Sequence, residues 1–400
     1  MGLTEQKIRT LINELGSHDG AKRRFAAEEL SAGDERAVYP LIKALKDKNH
    51  GVQDAAMRSL IEIGGEITAY MVLPLLREDA FLRNTAVIIL QEIGAAAIPL
   101  LGPLFSDKDD DIRKFALDMV CEIGVCDRPE ALIDILKTDP NPNVRVSAAK
   151  ALGVLHYAPG VPALIDSLRD TEWVCFSALE ALSSIKDNSS VEAVAELLYS
   201  PSEAVRSEAI QAAASIATED ALSALKQHLE WEEITDFEKR LTIRGLLSAG
   251  VVPESNGSAD TMLGLLIDGD WDDKMMAFMG LSAIKDERAL FYVLDAAGDP
   301  GLSDPDQNFH EIKSELMNFG KGPLLALLQD GRLKFKGMTF LIELLGEMRC
   351  AEAVPLIKPL LGSNLYDIKR ASARALREIE GGPAALNMND NPGENGESIC

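Results

Sequence analysis

A pattern of apolar positions recurs every 30 to 32 residues through the first half of the chain. In one copy, Val52, Ala56, Leu60, Ile63 and Gly64 stand at offsets 0, 4, 8, 11 and 12. The first four offsets fall on one face of an α-helix, and a glycine just past the last of them is typical of a helix C-terminus. The pattern predicts an amphipathic helix, which we call the signature helix.

Five further segments repeat these offsets. They are Leu82, Ala86, Leu90, Ile93 and Gly94; Ile112, Ala116, Val120, Ile123 and Gly124; Val144, Ala148, Leu152 and Leu155; Val174, Ala178, Leu182 and Ile185; and Val205, Ala209, Ala213 and Ile216. Each is followed by a second apolar helix, often with a proline in its first turns, where the missing N–H costs little. Such a helix pair cannot bury its apolar face alone, so neighbouring pairs must stack. The sequence therefore predicts an all-α, right-handed α-solenoid of about twelve helix pairs.

The regularity of the pattern changes along the chain and predicts five segments. An N-terminal capping helix opens the chain, regular repeats follow, and two turn-rich insertions then loosen the register before the pattern returns. The last segment is rich in Asn, Gly, Pro and acidic residues, a composition typical of disorder. The predicted boundaries are 1–20 for the cap, 21–229 for the regular repeats, 230–310 for degenerate repeats with loop insertions, 311–380 for the C-terminal repeats and 381–400 for a disordered acidic tail.

The run from Asn143 to Gly153, Asn-Val-Arg-Val-Ser-Ala-Ala-Lys-Ala-Leu-Gly, resembles the HEAT-like repeat of the phycobilisome-lyase type, found in bacterial or archaeal proteins. The resemblance covers residues 21 to about 229 and returns at 368–379. It implies a solenoid in which the second helix of each pair, taken here to be the signature helix, lines the concave face. It also leaves two functions open: a protein-binding scaffold, or a bilin-lyase-like or other cofactor-handling enzyme.

Composition narrows the classes of partner. Apolar residues make up 46% of the chain and aromatic residues only 5%, which favours helices packed through Ala, Leu, Ile and Val. The formal net charge of −24 repels polyanions, so we expect no nucleic-acid or anionic-membrane partner. The acidity indicates either solubility of a surface-rich molecule or a basic protein partner. The sequence contains no run of 18 uninterrupted apolar residues, so we expect no membrane insertion.

Offsets 2, 3, 6, 9 and 10 of the signature helices are not needed for the core. Glu62, Glu92 and Glu122 stand at offset 10 of three consecutive repeats, where stacking places them about 10 Å apart. Such a row suits Lys or Arg side chains of a partner protein. The alternative is that Glu is simply a good helix former near a wet edge. Arg58, at offset 6, is a further candidate on the same face.

Apolar residues also occupy positions where a solvated surface favours polar ones. Ile88, Val146 and Phe176 are candidates for a partner-binding patch. Phe115 and Leu117 lie closer to the predicted core boundary, where partial burial explains an apolar residue at least as well as partner binding does. Together with the acidic row, these residues predict a partner-binding concave face.

A recurring arginine at offset 1 has two interpretations. A ladder of guanidinium groups can hold a phosphate or carboxylate ligand. The structural interpretation is favoured because acidic residues such as Asp79 recur nearby and can pair with the arginines between repeats. The ladder comprises Arg83, Arg113, Arg145 and Arg206, with Arg23 and Lys369 at equivalent places.

Candidate chemistry is sparse. Cys121 and Cys126 are four residues apart, but no second cysteine pair or nearby histidine completes a metal site. Five scattered cysteines, an odd number, fit a reducing cytoplasm. Only His310-Glu311 has the His-Glu form that the HEAT-like enzyme deoxyhypusine hydroxylase repeats as iron ligands. HEAT-like DNA glycosylases have a basic groove, unlike this acidic chain. We therefore predict no catalytic residues, metal or cofactor, and a protein-interaction scaffold.

Overall fold

The computed structural model describes residues 3–255, 257–299 and 305–381. All regular secondary structure within these ranges is helical: 24 α-helices and eight short 3-10 helices, with no strand. The chain divides into two compact units, unit 1 (Met1–Leu225) and unit 2 (Lys226–Cys400). The prediction of an all-helical solenoid is confirmed, whereas the number of repeat pairs stays a prediction.

Unit 1 contains fourteen complete α-helices, and α15 (Glu219–His228) spans the boundary between the units. The helices of unit 1 are α1 (Glu5–Glu14), α2 (Gly20–Glu29), α3 (Glu35–Ala44), α4 (His50–Ile63), α5 (Gly65–Val72), α6 (Ala80–Ile93), α7 (Ile98–Leu101), α8 (Asp110–Ile123), α9 (Pro129–Thr138), α10 (Pro142–Val154), α11 (Val161–Ser167), α12 (Glu172–Ile185), α13 (Val191–Leu197) and α14 (Glu203–Ile216).

Unit 2 continues the alternation of helices. Its helices are α16 (Asp236–Ser248), α17 (Ser258–Asp268), α18 (Trp271–Ala283), α19 (Arg288–Ala297), α20 (Pro305–Asn318), α21 (Lys321–Asp330), α22 (Phe335–Glu347), α23 (Val354–Ile357) and α24 (Tyr366–Glu380). Short 3-10 segments extend several odd-numbered helices, as Leu73–Arg77 extends α5.

The helices of each unit form two layers. The even-numbered helices are the signature helices, and consecutive members pack on one another, as α4, α6 and α8 do in unit 1 and α16, α18 and α20 do in unit 2. Odd-numbered helices form the second layer, in which α3 packs on α5 and α17 on α19. Val52, Ala56 and Leu60 are buried between the layers, as their offsets predict.

The signature helices end in a left-handed residue at offset 12. Gly64, Gly94 and Gly124 have φ of +59°, +62° and +71°. Lys186 and Ala217 adopt φ of +57° and +54° at the same offset, a conformation that disfavours residues with a Cβ. The tertiary fold therefore sets this turn even where the glycine is absent.

Glycine also permits close helix packing. A Cβ at Gly153 of α10 would lie 2.7 Å from the Cα of Ala181 in α12, and one at Gly346 of α22 would lie 2.6 Å from the Cα of Ala375 in α24. These distances are shorter than van der Waals contact, so both helix pairs depend on a missing side chain.

The predicted segment boundaries stay predictions. Helix α1 lies within the predicted cap and buries Ile8 and Leu11. Except for Gly381, the predicted tail 381–400 lies outside the described residues. Within the described part of the chain, the helical segment Ala80–Ser106 is long and apolar enough to cross a membrane. One segment of this kind is weak evidence for a membrane span. Gly94 interrupts that segment in the structure by ending α6.

Candidate functional site

Three parallel columns of side chains lie on the signature helices of unit 1, on the side away from the buried stripe. We call this surface the signature face. Offset 2 contributes Asp54, Asn84, Lys114, Val146, Phe176 and Ser207; offset 6 contributes Arg58, Ile88, Asp118, Lys150, Glu180 and Gln211; offset 10 contributes Glu62, Glu92, Glu122, Val154, Ser184 and Ser215.

The acidic row occupies the last turns of three adjacent signature helices. Glu62, Glu92 and Glu122 are all exposed. Glu92 and Glu122 line one shallow groove together with Gln91 and Ile123. The structure thus brings two of the predicted carboxylates to one groove, and places the third at the equivalent position of the preceding helix.

The three glutamates lie at the electrostatically unfavourable end of their helices. A negative charge in the last turn faces the negative end of the helix dipole, which costs about 0.3–1 kcal/mol. Among the residues that the structure describes, none of the three carboxylates forms an ion pair that would offset this cost. The row is therefore free to pair with cations of another molecule.

The apolar candidates differ in their exposure. Ile88 is 42% exposed, and Val146 and Phe176 are half-buried at equivalent positions of α10 and α12. Leu117 is fully buried, because offset 5 turns its side chain toward the core. Arg58 is exposed, and its guanidinium lies 4.0 Å from the Glu28 carboxylate of α2.

Sequence analysis did not assign Trp173 to this face. Its side chain is 72% exposed, and its ring meets Phe176 edge-on with centroids 5.9 Å apart. Trp173 stands at offset −1, outside the offsets that were considered. The signal that indicates it is its spacing of three residues from Phe176, which puts both rings on one stripe of α12.

A second acidic pair lies beside the aromatic residues. Burial and the neighbouring Glu180 carboxylate raise the pKa of Glu208 on α14 above its usual value. The Gln211 side-chain amide donates to the Glu208 carboxylate at 3.5 Å. Within the described part of the chain, neither glutamate is ion-paired with a basic side chain.

The offset 1 arginines lie between repeats. Arg113 and Arg145 each make two bonds to one aspartate: the Asp139 carboxylate accepts at 2.7 and 3.0 Å, and that of Asp170 at 2.8 and 2.7 Å. Each also donates to a carbonyl six residues earlier. Arg23 forms the same kind of pair with Asp47.

The other two ladder arginines bind different partners. Arg83 donates to the Leu76 carbonyl at 3.1 Å and lies 3.6 Å from the Asp111 carboxylate, and Arg206 donates to the Ser200 carbonyl at 2.8 Å. Protein groups of the chain itself thus occupy the guanidinium groups of the ladder, which leaves little capacity for an added ligand.

Cys121 and Cys126, the pair with four-residue spacing, are not set up as reactive thiols. Burial raises the pKa of the Cys121 thiol to about 11, and burial also raises that of Cys126. A thiolate is therefore disfavoured at neutral pH at both positions. Within the described ranges, no group of three or more His, Cys, Asp or Glu residues is arranged to hold a metal ion.

Comparison with known proteins identifies the repeat. The family model of HEAT repeats matches residues 8–91, 129–201 and 174–237. A curated relative, the uncharacterized phycocyanin operon protein Z of Pseudanabaena tenuis, is 26% identical over 173 residues, which cover 40% of this chain and 85% of that protein.

Two solved structures have a similar fold. Kap95p, described with RanGDP in nuclear import complex assembly, aligns with a TM-score of 0.51 at 13% identity, over 94% of this chain and 61% of its own. Importin beta aligns with a TM-score of 0.51 at 13% identity, over 93% of this chain and 60% of its own. This chain thus spans about three fifths of either protein, and at this identity the likeness concerns the fold alone.

Proposed function

We propose that this chain, which the family model of HEAT repeats matches over residues 8–91, 129–201 and 174–237, is a non-enzymatic scaffold whose signature face binds a protein partner. The observation that carries the proposal is the row formed by Glu62, Glu92 and Glu122, which is exposed, unpaired and placed against the helix dipole. The exposed Ile88 and the half-buried Val146 and Phe176 on the same face supply apolar contact.

Charge favours a basic partner. A net charge of −24 accelerates the approach of a cationic surface, and the carboxylates of the groove then form ion pairs with that surface. Kap95p, of similar fold, is described in complex with RanGDP, which supports a protein-binding role for this architecture. The same acidity supports the expectation that nucleic acid is not the partner.

Charge reversal of the acidic row tests the proposal. We expect the combined variant Glu62→Lys, Glu92→Lys and Glu122→Lys to lose binding of a basic partner captured from native extract with the tagged protein. Helicity measured by circular dichroism should be unchanged, because all three side chains are exposed.

A matched variant controls for net charge. Glu66, Glu192 and Glu196 are exposed on odd-numbered helices. Their replacement by Lys changes the net charge equally, and we expect the partner still to be captured. Undiminished capture by the variant of the acidic row would show that the partner binds elsewhere.

Handling of a bilin is the second candidate function. The similarity to phycocyanin operon protein Z favours it. Titration of a linear tetrapyrrole, followed by its visible absorption, separates the two functions. Saturable binding of one pigment per chain would support the second, whereas an unchanged spectrum together with capture of a protein partner supports the first.

A further inference from the structure

Helix α12 presents an aromatic and acidic stripe that the acidic row does not include. Trp173, Phe176 and Glu180 are spaced by three and four residues, which places them on one side of the helix. Trp173 is the most exposed large apolar side chain among the described residues. The indole of Trp173 stands nearly perpendicular to the ring of Phe176, and most of its surface remains exposed to solvent.

Two carboxylates continue this stripe onto the next helix. Glu180 of α12 and Glu208 of α14 stand on helices that pack against each other, Glu208 is half-buried, and repulsion from the Glu180 charge contributes to its raised pKa. No lysine or arginine of the described chain lies between them in an ion pair. A cation from outside that touches both carboxylates would convert this repulsion into attraction.

We propose that Trp173, Glu180 and Glu208 bind two basic side chains, preferably arginines, of an extended segment of the protein partner. One guanidinium stacks on the indole of Trp173, and the other bridges the two carboxylates. Arginine suits both places, because its planar group stacks on aromatic faces and bonds carboxylates through two N–H groups. The inference rests on the proposed scaffold function and adds a second contact to it.

The geometry of the helix sets the spacing of the two basic residues. Seven residues separate Trp173 from Glu180, which is a rise of about 10 Å along α12. In an extended segment, residues i and i+3 are also about 10 Å apart. The site therefore selects the pattern Arg-x-x-Arg. Val146 and Phe176 lie beside it and favour an apolar residue between the two arginines.

Two blocked peptides of equal composition test the site. The matched peptide is Gly-Arg-Leu-Ala-Arg-Gly, and the comparison is Gly-Arg-Arg-Leu-Ala-Gly. We expect the matched peptide to shift the indole N–H signal of Trp173, assigned through Trp173→Phe, and to leave those of Trp231 and Trp271 in place. The comparison peptide should bind several-fold more weakly.

Variants distinguish peptide binding at this site from general attraction by the negative charge of the chain. Trp173→Ala, and Glu180→Gln combined with Glu208→Gln, should each weaken the matched peptide about tenfold. Glu192→Gln combined with Glu196→Gln removes the same charge from α13 and should change the affinity less than twofold. Equal losses in the two double variants, equal affinity for both peptides, or unaltered binding by Trp173→Ala would each overturn the proposal.

The two proposals can fail separately. The variant of the acidic row at Glu62, Glu92 and Glu122 leaves α12 and α14 unchanged, so it should keep its preference for the matched peptide. Peptide binding without capture of a protein partner would contradict the scaffold function alone. Capture of a basic partner that is insensitive to Trp173→Ala would contradict the α12 site alone.

Discussion

Paired arginine and aspartate side chains connect successive repeats of unit 1. Asp170 accepts two bonds from the guanidinium of Arg145 and also the backbone N–H of Thr171 at 2.6 Å. One carboxylate thus holds an arginine of the preceding signature helix and the turn that begins the next one. Arg113 and Asp139 form a more buried pair, with side chains 10% and 6% exposed. The loss of one partner there leaves a charge that water cannot solvate.

The first prediction concerns the pH dependence of this pairing. The bonds from Arg145 hold the pKa of Asp170 below its usual value. A carboxyl whose native pKa is depressed stabilises the fold above its unfolded pKa of about 3.9, and this stability is lost as pH falls through the native value. Asp170→Asn should therefore lower the free energy of unfolding by ~2 kcal/mol at pH 7. Urea unfolding followed by far-UV circular dichroism measures the change.

Acid conditions should remove the difference between the two proteins. Once Asp170 is protonated in both the native and unfolded states of the wild type, its charge no longer contributes, and the midpoints should converge. Asp166→Asn is the control, because its carboxylate is exposed and lies 3.9 Å from Lys137; it should cost less than about 1 kcal/mol. A difference at pH 7 that persisted unchanged in acid would assign the effect to packing and not to charge.

At the residue scale, the offsets predicted which side chains leave the core better than they predicted how much of each apolar side chain is covered. The offsets predicted exposed glutamates, and Glu62, Glu92 and Glu122 are exposed. Leu117 and Ile88 are both apolar and lie near the same surface, yet one is fully buried and the other is not. The two differ by one offset, 5 against 6, which turns Leu117 toward the core; how far the neighbouring helix covers that boundary is not contained in one repeat read alone. Trp173 was missed for a different reason: it stands at offset −1, outside the offsets considered, although its three-residue spacing from Phe176 places both on one side of α12.

Helices and turns followed the repeat closely where the register was regular. Offset 12 predicted helix ends at Gly64, Gly94 and Gly124, and these residues have positive φ. Beyond residue 229 the pattern weakened because residue types changed while the architecture did not. Lys274 of α18 is buried, and its ammonium donates to the carbonyls of Leu266 and Ile267 at 2.8 and 2.5 Å. A lysine there binds preceding backbone carbonyls, as the ladder arginines do in unit 1.

Glycine at the α10–α12 contact gives a prediction at the scale of the element. Gly153→Ala improves helix propensity by up to about 1 kcal/mol, but the new methyl meets the backbone of Ala181. Backbone cannot move aside as a flexible side chain can, so we expect the clash to outweigh propensity and the variant to lose ~1–3 kcal/mol. Urea midpoints followed by far-UV circular dichroism measure the loss.

The matched control lies in α17. A Cβ at Gly264 meets no atom within 4 Å, so Gly264→Ala should gain up to about 1 kcal/mol from propensity alone. Opposite signs for the two substitutions would establish close packing as the reason for Gly153. A stabilised Gly153→Ala variant would mean that α10 and α12 separate at little cost.

At the scale of the whole molecule, two kinds of charge respond differently to salt. The net charge of −24 is spread over exposed side chains, whose mutual repulsion opposes folding and is screened by ions. The Arg113–Asp139 pair is largely buried, and buried pairs are screened much less. Added salt should therefore weaken the repulsion among exposed side chains before it weakens the Arg113–Asp139 pair.

The last prediction follows from that imbalance. Between 0.01 and 0.1 M NaCl the Debye length falls from about 30 to about 10 Å. We expect the thermal midpoint to rise by a few degrees over this range, because long-range repulsion weakens while the ladder persists. Binding of the Arg-x-x-Arg peptide should weaken over the same range, because that attraction is exposed to solvent. Calorimetry and peptide titration in the same buffers measure both trends, and KCl in place of NaCl should reproduce them, since screening depends on ionic strength. A midpoint that falls with added salt would show instead that exposed ion pairs, and not net repulsion, dominate the electrostatic free energy of this fold.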